Sequence, residues 1–587
     1  MNVDSSTLPS NWSELPEGDD TGDAIVAALA QGGVEYLFFT SGSELCFYQE
    51  AIAKAKALGR PAPRLIVMTH EHASLNAALG YAAVTGRPAA TAAHVDAGTL
   101  HHGGALHTAR HAGVPVLITA GVPPTSYSGS SPAGRNAGGH LWLQESFDQH
   151  AIVRQYVKWD HRLNAHDNPG LMVSRALQVA RSEPCGAAYL TVSPEVSMAP
   201  AAMSRFPTCR QLGIASPPMP DPVGVREIAR RLIAAKEPRI VVSGSGRDPS
   251  TVAALISLCE FLGAPVVHSA SRSYLSFPMD HPLMLAESDL SRADTVLVLQ
   301  ADVPWVPGPN APGTQAWVAV IALDPIMGKI PTYEFTADLR ICSGALGAIS
   351  AIEHAVREMA GEQDREAFAR RAADIAESTR NQRHALESMA RERAASRPID
   401  PLWLGIQIAD AVGDEAIVFD DTLPHNKLFQ LLRCRRPGSY FFTPGTSGGW
   451  APGAALGAKF AAPERDVIAV TGDGFYMFAT ATAALWAAAH YKAAFLTVVY
   501  QNRSWGTGTA RMSRLYPGGY GERGGFEGGY FDPPMDFAKE AQATGAYGEN
   551  VRDPDELRAA LQRGLDQVRQ GIPAVIAVWL PRHLHPD

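Results

Sequence analysis

Residues 467–502 read VIAVTGDGFYMFATATAALWAAAHYKAAFLTVVYQN and decide the fold class. One apolar run ends at the sequence GDG (472–474), an alanine-rich helical segment follows, and a second apolar run ends at QN (501–502). Such near-continuous hydrophobicity is typical of strands that are buried on both faces of a parallel sheet. Because the carboxyl ends of parallel strands meet at one sheet edge, we expect Asp473 and Asn502 to lie close together.

This edge of the predicted sheet has the chemistry of a cation site. One carboxylate and one amide oxygen suit a Mg²⁺ ion that is shared with the phosphates of a ligand. The glycines at 472 and 474 let backbone N–H groups approach those phosphates closely. The alternative is that GDG is only a tight turn, since short Gly/Asp turns are common.

The same alternation of strand and helix runs along the rest of the chain. Apolar runs typical of buried strands occupy residues 34–40, 64–69, 89–95, 114–121, 239–246, 295–302, 317–324, 416–421, 466–472, 495–502 and 574–580. Helical patterns occupy residues 73–85, 103–111, 225–235, 451–461 and 479–491. Alternating strands and helices predict an α/β fold with parallel sheets.

Two breaks divide the chain. Residues 200–223 are rich in proline and are expected to form a linker. Residues 355–397 are rich in Arg, Glu and Ala and predict a long solvated helix that joins domains. The predicted domains are therefore residues 1–198, 220–355 and 395–587, each large enough to hold its own core.

Composition excludes several classes of protein. Of the 587 residues, 46% are hydrophobic and 19% are charged, so a disordered chain is excluded. The formal net charge of -9 disfavours a nucleic-acid binder. The sequence has no apolar run long enough for a membrane span and no signal-peptide pattern at its start. The cysteines form no CxxC pair, so we expect a cytoplasmic protein without a disulfide framework or a zinc site.

A second stretch, HEHASLNAALGYAAVTG at residues 70–86, contains another candidate. Glu71 directly follows a predicted strand and begins an apolar helix. A carboxylate at this position stabilises the amino end of a helix, which is a purely structural role. The functional alternative is a buried carboxylic acid at the carboxyl end of a strand, available for proton transfer.

Together, these two stretches resemble the thiamine-diphosphate (ThDP) enzymes of the pyruvate oxidase, acetohydroxyacid synthase and benzoylformate decarboxylase type. The resemblance rests on His70-Glu71 with GYA and TG downstream, and on GDG followed by Gln501-Asn502. Two further segments support the resemblance, LQE at 143–145 and the glycine-rich GTSGGWAPGAALGAK at 445–459. The resemblance therefore covers nearly the whole chain.

The resemblance implies three doubly wound parallel-sheet domains. The N-terminal domain would bind the pyrimidine ring of the cofactor, the C-terminal domain would bind its diphosphate, and the third domain would lie between them in the chain. It implies that Asp473, Asn502 and the main-chain oxygen of Ser504 bind Mg²⁺, and that Glu71 activates the aminopyrimidine ring. Further expected cofactor contacts are Thr422, His425, Gly448, Gly472, Gly474 and Phe475. In this family the active sites lie between subunits, which implies a homodimer or homotetramer.

The chain departs from the family pattern next to the reactive carbon. His101 and His102 replace an asparagine and an apolar residue, and they are candidates for acid–base catalysis, as is Gln144. The alternative is a pair at the start of a helix with one or both side chains in solvent. His140 and His425 are weaker candidates.

A second departure concerns the shape of the cofactor. Gly448 stands where the family has a bulky residue under the cofactor, so Trp450 or Leu423 is expected to support the bent cofactor instead.

The middle domain gives fewer indications. The segment QADVPW at 300–305 lacks the Arg-Phe-Asp-Asp-like turn of FAD-binding relatives, so we expect no FAD. Binding of ADP or CoA stays open, because some relatives bind them in this region. The glycine-rich segment 502–530 is expected to be a mobile lid or a long surface loop.

We therefore expect a ThDP- and Mg²⁺-dependent lyase, decarboxylase or carboligase that is similar to acetolactate synthase. Its substrate would be a small carbonyl compound, namely a 2-oxo acid or a 2-hydroxyketone. One alternative is an enzyme similar to 2-hydroxyacyl-CoA lyase or oxalyl-CoA decarboxylase. An alternative of another class is a catalytically silent ThDP-binding homologue.

Overall fold

The structure is a computed structural model that describes residues 12–126, 133–203, 205–269, 273–422 and 427–584. The chain forms two compact units. One comprises the chain up to Ala215 with Gly445–Glu464 and Met477–Ala494, and the other comprises Ser216–Pro444, Arg465–Tyr476 and the chain from Phe495.

The secondary structure alternates as the sequence predicts. The described strands are β1 (Trp12–Glu14), β2 (Tyr36–Phe39), β3 (Arg64–Val67), β4 (Ala89–Ala93), β5 (Val116–Gly121), β6 (Trp159–Arg162), β7 (Ala187–Val192), β8 (Arg205–Pro207), β9 (Pro238–Val242), β10 (Val266–His268), β11 (Thr295–Leu299), β12 (Trp317–Ala322), β13 (Leu339–Cys342), β14 (Ile417–Asp421), β15 (Tyr440–Phe442), β16 (Val467–Gly472), β17 (Leu496–Gln501), β18 (Tyr547–Val551) and β19 (Ala574–Trp579). The described α-helices are α1 (Thr21–Gln31), α2 (Cys46–Ala57), α3 (Glu71–Thr85), α4 (Val95–His101), α5 (Gly104–Ala112), α6 (His140–Leu143), α7 (Pro169–Arg181), α8 (Pro194–Ser197), α9 (Cys209–Leu212), α10 (Pro222–Ala234), α11 (Ser250–Leu262), α12 (Ala345–Met359), α13 (Glu362–Glu392), α14 (Pro401–Ala411), α15 (Leu428–Leu431), α16 (Ala451–Ala461), α17 (Asp473–Phe478), α18 (Ala481–Tyr491), α19 (Gly506–Leu515), α20 (Tyr520–Arg523), α21 (Phe537–Ala543) and α22 (Leu557–Arg569).

Three of the sheets are parallel throughout. The first has the strand order β3-β2-β4-β5-β7-β6, the second β10-β9-β11-β12-β13, and the third β15-β14-β16-β17-β19-β18. Central strands such as β5 and β17 are buried along their whole length, because helices connect the parallel strands and cover the sheet faces. The α/β fold with three parallel sheets is thus confirmed, whereas the domain boundaries stay a prediction.

The proline-rich stretch 200–223 is only partly a linker. Its residues Arg205–Pro207 form β8, which pairs antiparallel with β1. The ring of Phe206 is fully buried, and a Cβ at Gly170 would overlap it. The expectation of a plain linker is therefore wrong at β8, because burial of one aromatic ring fixes this segment against the first core.

The long solvated helix between domains is present, although it is interrupted. Helix α12 ends at Met359, and α13 then runs for 31 residues with only Phe368 and Ala390 buried. The charged side chains of α13 keep most of its surface in water. Within the described residues, no helix is both long and apolar enough to cross a membrane.

Helices α3 and α16 approach closely in the first unit because both carry small residues. A Cβ at Gly80 would overlap the backbone of Ala454, and a Cβ at Gly457 would overlap that of Ala77. Glycine removes this obstacle and lets the two backbones come together. The contact fixes α3, which begins at Glu71, against α16, which directly follows residues 445–450.

Candidate active site

The carboxyl edge of the third sheet brings together the predicted metal ligands. Strand β16 ends at Gly472, which pairs with Tyr500 in β17, and α17 begins at Asp473. The Asp473 carboxylate is 3% exposed and accepts hydrogen bonds from the backbone N–H groups of Gly474 (2.8 Å) and Arg503 (2.5 Å). Because Arg503 directly follows Asn502, the expected closeness of Asp473 to the end of the next strand is confirmed.

The neighbouring residues form a compact turn. The amide oxygen of Asn502 accepts hydrogen bonds from the backbone N–H and the hydroxyl of Ser504, each at 3.0 Å. Arg503 between them adopts a left-handed conformation with φ of 58°. This strained backbone conformation reverses the chain direction, and it keeps Asn502 and Ser504 at the same sheet edge as Asp473.

Burial raises the pKa of Asp473 to about 7, although the backbone N–H groups of Arg503 and Gly474 and the Arg503 charge act in the opposite direction. Burial disfavours an isolated carboxylate charge, whereas a bound cation stabilises that charge. Among the described residues, no group of three or more His, Cys, Asp or Glu side chains is arranged to hold a metal ion. One carboxylate with amide and main-chain oxygens is instead the donor set of a hard cation such as Mg²⁺.

Two of the predicted cofactor contacts near Asp473 are glycines with different surroundings. At Gly472 no atom lies within 4 Å of the position that a Cβ would take, so the backbone there is open. At Gly474 a Cβ would lie 2.5 Å from the ring of Trp505, so glycine is needed for packing. Phe475, the next residue, is half-buried.

Thr422 lies just after β14, at the same edge of the third sheet. Its N–H and hydroxyl both donate to the buried carboxylate of Asp420, at 3.0 Å and 2.6 Å. The hydroxyl of Tyr440 donates to the other oxygen of that carboxylate at 2.8 Å. His425 and Leu423 lie outside the described residues.

In the first unit, Glu71 is a buried carboxylate at the beginning of α3, with 6% exposure. The helix is capped by His70, whose ring nitrogen accepts a hydrogen bond from the N–H of His72 at 3.1 Å. A Cβ at Gly98 would lie 2.9 Å from the Glu71 carboxylate, so α4 packs directly against it. His70 supplies the side-chain cap, while the carboxylate of Glu71 lies in the first turn, where it interacts favourably with the helix dipole.

The adjacent histidines His101 and His102, at the end of α4, have different environments. His101 is 62% exposed, and its Nδ1 lies 3.4 Å from the Glu71 carboxylate while its ring stacks on that of His70. His102 is fully buried, and its Nδ1 lies 3.2 Å from the main-chain oxygen of Glu71. Burial lowers the pKa of His102 to about 4, so this side chain is neutral at pH 7.

Residues 445–450 lie against the helices of the first sheet. The N–H of Thr446 donates to a ring nitrogen of His107 at 3.1 Å, and Nε2 of His72 lies 3.3 Å from the carbonyl oxygen of Gly449. Gly449 has φ of 96°, which favours glycine. Gly448 and Trp450 on either side are buried, and the role of Trp450 in supporting the cofactor stays a prediction.

The sequence analysis did not identify Glu44 and His94, two residues at the carboxyl edge of the first sheet. Glu44 is 1% exposed, and its Oε2 lies 2.7 Å from Nδ1 of His94 in an ion pair that is not aligned as a hydrogen bond. The side-chain amide of Gln144, which the sequence predicts to be catalytic, donates a hydrogen bond to Oε1 of Glu44. His140, the weaker candidate, is exposed.

The sequence carries only part of the signal for these two residues. In the first sheet β3, β2 and β4 are neighbours, and they are followed by Glu71, Glu44 and His94, respectively. Ionisable residues that follow three adjacent parallel strands share one carboxyl edge, but the adjacency of β2 and β4 is visible only in the folded sheet.

Comparisons with known proteins match two domains of the chain. The family model described as "Thiamine pyrophosphate enzyme, N-terminal TPP binding domain" matches residues 19–152, and the model described as "Thiamine pyrophosphate enzyme, C-terminal TPP binding domain" matches residues 425–578. Thiamine pyrophosphate is another name for ThDP. The first model includes Glu71 and the second includes Asp473 and Asn502.

Individual relatives cover nearly the whole chain. Benzoylformate decarboxylase of Pseudomonas aeruginosa is 26% identical over 86% of this chain and 89% of its own length. A probable acetolactate synthase of Mycobacterium bovis is 24% identical over 95% of both chains. The solved structure of a ThDP-dependent 4-hydroxybenzoylformate decarboxylase of Rhodococcus jostii has a TM-score of 0.76 and 21% identity, covering 97% of this chain and 100% of that one.

The two matched domain models and the shared fold define the class of the protein. The chain belongs to the ThDP-dependent enzymes. Its chemistry is the cleavage or formation of carbon–carbon bonds, and among these enzymes it is similar to the decarboxylases and the acetolactate synthases.

Proposed function

We propose that this protein is a ThDP- and Mg²⁺-dependent decarboxylase of a 2-oxo acid. The observation that carries the proposal is a pair of buried carboxylates, Glu71 and Asp473, each at the carboxyl edge of a different parallel sheet. Open α/β sheets bind their ligands at such edges. The similarity to benzoylformate decarboxylase supports a 2-oxo acid as the substrate.

The Asp473 edge suits Mg²⁺ and a diphosphate. Asp473, Asn502 and the main-chain oxygen of Ser504 would hold the ion, and the ion would remove the cost of burying an uncompensated carboxylate. The open backbone at Gly472 would let the diphosphate approach closely. The other proposed cofactor contacts are Thr422, His425, Gly448, Gly474 and Phe475.

When bound, ThDP supplies a nucleophilic carbon and an electron sink for cleavage of the bond to the substrate carboxylate. Glu71, whose carboxylate is buried at the beginning of α3, would exchange a proton with the aminopyrimidine ring. His101, beside Glu71 and largely exposed, is placed to exchange protons with solvent.

The test is the consumption of pyruvate and benzoylformate by the purified protein reconstituted with ThDP and Mg²⁺, with products identified by mass. We expect release of CO₂ with one of the two acids and a dependence on both added components. Binding of ThDP would be checked on the same sample by thermal shift. Bound ThDP without consumption of either acid would overturn the assignment of a 2-oxo acid substrate.

The proposal includes a homodimer or homotetramer, as the resemblance to the family implies. Sedimentation equilibrium of the ThDP-loaded protein measures the assembly directly. A monomer that turns over substrate would contradict active sites shared between subunits.

A further inference from the structure

Arg503 has a backbone conformation that residues with side chains rarely adopt. It lies between the proposed metal ligands Asn502 and Ser504, and its φ of 58° is in the left-handed region that favours glycine. A residue with a long side chain persists in such a conformation only when the surrounding structure holds it there. The contacts that hold Arg503 therefore help to shape the proposed metal site.

The side chain of Arg503 is fixed against the end of β19, the strand beside β17. Its guanidinium lies 4.0 Å from the centre of the Trp579 ring, and Nη2 donates a hydrogen bond to the main-chain oxygen of Leu580 at 2.9 Å. Arg503 is only 5% exposed. Indole is the aromatic ring that attracts a cation most strongly, and the attraction increases when the pair is shielded from water.

The register of the third sheet explains why these groups meet. Gln501, the last residue of β17, pairs with Trp579, the last residue of β19. The N–H of Leu580 donates to the main-chain oxygen of Gln501 at 3.0 Å. Arg503 follows Gln501 by two residues, so its side chain reaches the end of β19 while its main chain stays at the sheet edge.

The main chain of Arg503 is held as well. Its N–H donates to the carboxylate of Asp473 at 2.5 Å, and its carbonyl oxygen accepts a hydrogen bond from the N–H of Phe531 at 2.9 Å. A rotation at this residue would break the contact with Asp473 and would move Asn502 relative to Ser504. The distances to a metal ion must be kept within about 0.2 Å, so such a movement would weaken the binding of the ion.

We propose that Arg503 is a positioning residue whose side chain holds this turn in the shape that binds Mg²⁺. The contacts with Trp579 and Leu580 anchor the side chain, and the oxygens of the residues on either side are then presented to the ion together. A guanidinium has no free electron pair for a metal ion, so it acts through the backbone of its own residue. The proposal rests on the proposed function, because the turn belongs to the proposed Mg²⁺ site.

The first test is Arg503→Gly, because glycine suits the φ of 58° but removes the anchor. The purified protein, freed of bound ions, is titrated with ThDP by isothermal titration over a series of Mg²⁺ concentrations. The Mg²⁺ concentration that gives half-maximal ThDP binding should rise about tenfold, since groups that orient metal ligands contribute about 10- to 100-fold to metal affinity. At saturating Mg²⁺, the affinity for ThDP should stay close to that of the wild type.

The chain offers a matched control in Arg552→Ala. The guanidinium of Arg552 lies 4.2 Å from the centre of the same Trp579 ring, but its backbone follows β18, two strands away from β17. This variant should need the same Mg²⁺ concentration as the wild type. An equal tenfold increase in Arg552→Ala would contradict the proposal, because it would reflect general loosening around the ring.

Substitutions at the ring test the anchor from its other side. Trp579→Phe keeps an aromatic ring and should raise the Mg²⁺ requirement less than Trp579→Leu. Arg503→Lys keeps a cation and should restore part of the affinity that Arg503→Gly loses. The thermal midpoint without cofactor shows that each variant is folded. A Mg²⁺ requirement in Trp579→Leu equal to that of the wild type would exclude the ring as the anchor.

Arg503→Gly also separates the positioning role from two simpler effects. Glycine relieves the backbone strain, and loss of a cation near the site removes a repulsion of Mg²⁺. Each of these effects alone predicts an unchanged or lower Mg²⁺ requirement, and either result would overturn the proposal. Failure of the proposed function is distinct, because the wild type itself would then show no Mg²⁺-dependent binding of ThDP.

Discussion

The edges of the first and third sheets each bury carboxylates, but they surround them with different groups. Asp473 accepts hydrogen bonds from two backbone N–H groups, one of which belongs to the residue after Asn502. Glu71 and Glu44 are instead accompanied by the imidazoles of His101 and His94. Oxygen ligands with a buried negative charge suit a metal ion, whereas carboxylates paired with imidazoles suit proton transfer. The comparison teaches that the two edges offer different chemistry, and the proposed division of cofactor binding and proton transfer between them can be tested.

The strongest test of this division removes the proposed metal ligand. Asp473→Ala should weaken Mg²⁺-dependent ThDP binding at least about 100-fold, since even outer-shell partners of a metal contribute 10- to 100-fold. Isothermal titration with ThDP at fixed Mg²⁺ measures the change. The matched control is Asp466→Ala at the amino end of the same strand, where the side chain pairs with Arg569 at 2.8 Å. Tight binding in Asp473→Ala would contradict the metal assignment.

The next largest effect should separate binding from catalysis. Glu71→Gln should bind ThDP nearly as well as the wild type but lose about 10²-fold or more in turnover, because the amide cannot exchange a proton. Hydrogen–deuterium exchange at the reactive carbon of bound ThDP should slow in parallel. Glu35→Gln, at the amino end of β2, is the control and should behave as the wild type. Near-normal turnover in Glu71→Gln would place the proton chemistry elsewhere.

A smaller effect should appear in stability as the pH falls. The pKa of buried His102 is about 4 in the folded protein, against an ordinary value of 6.5. The stability that neutral His102 contributes is therefore present above pH 6.5 and is lost as the pH falls from about 6.5 towards 4. One pKa unit corresponds to about 1.4 kcal/mol, so the total loss is on the order of 3 kcal/mol.

The measurement is the thermal midpoint of the protein without cofactor at pH 7 and pH 5. The wild type should lose more of its midpoint over this range than His102→Gln, which has no group to titrate. His140→Gln, at an exposed histidine, should follow the wild type. An equal decrease in His102→Gln would mean that other groups cause the acid sensitivity.

The fold was largely readable from the sequence, and the exceptions have physical reasons. Apolar runs predicted β16 and β17 within a residue or two, because strands buried on both faces need continuous hydrophobicity. Strands β6 (WDHR) and β18 (YGENV) lie at sheet edges, are half exposed and show no such run. Pairing with a neighbouring strand, rather than local sequence, makes them strands. Strand β7 is buried throughout and carries the apolar signal, although it is absent from the predicted set.

The candidate site was predictable where its residues carry a local pattern. Asp473 is marked by its glycines and Glu71 by its position after a strand. Glu44 and His94 carry no common motif, and they meet because β2 and β4 are neighbours in the sheet. The lateral order of strands is a property of the folded chain, so the pairing was not visible in the sequence.

The smallest expected effect concerns Gln144. It tests whether Gln144 acts through Glu44 at the carboxyl edge of the first sheet. Gln144→Leu removes the donor to Oε1 of Glu44 but keeps the carboxylate, Ser43 and His94 in place. Loss of one hydrogen bond to a charged group corresponds to about 1.5–3 kcal/mol, of which water reaching this half-buried position would replace a large part. We therefore expect a decrease in kcat of only a few-fold. The acid limb of the kcat–pH profile should move slightly to higher pH, because the hydrogen bond from Gln144 lowers the pKa of Glu44. If Gln144 instead contacts the substrate directly, KM should rise while the pH profile stays in place, and steady-state kinetics across pH separates the two roles.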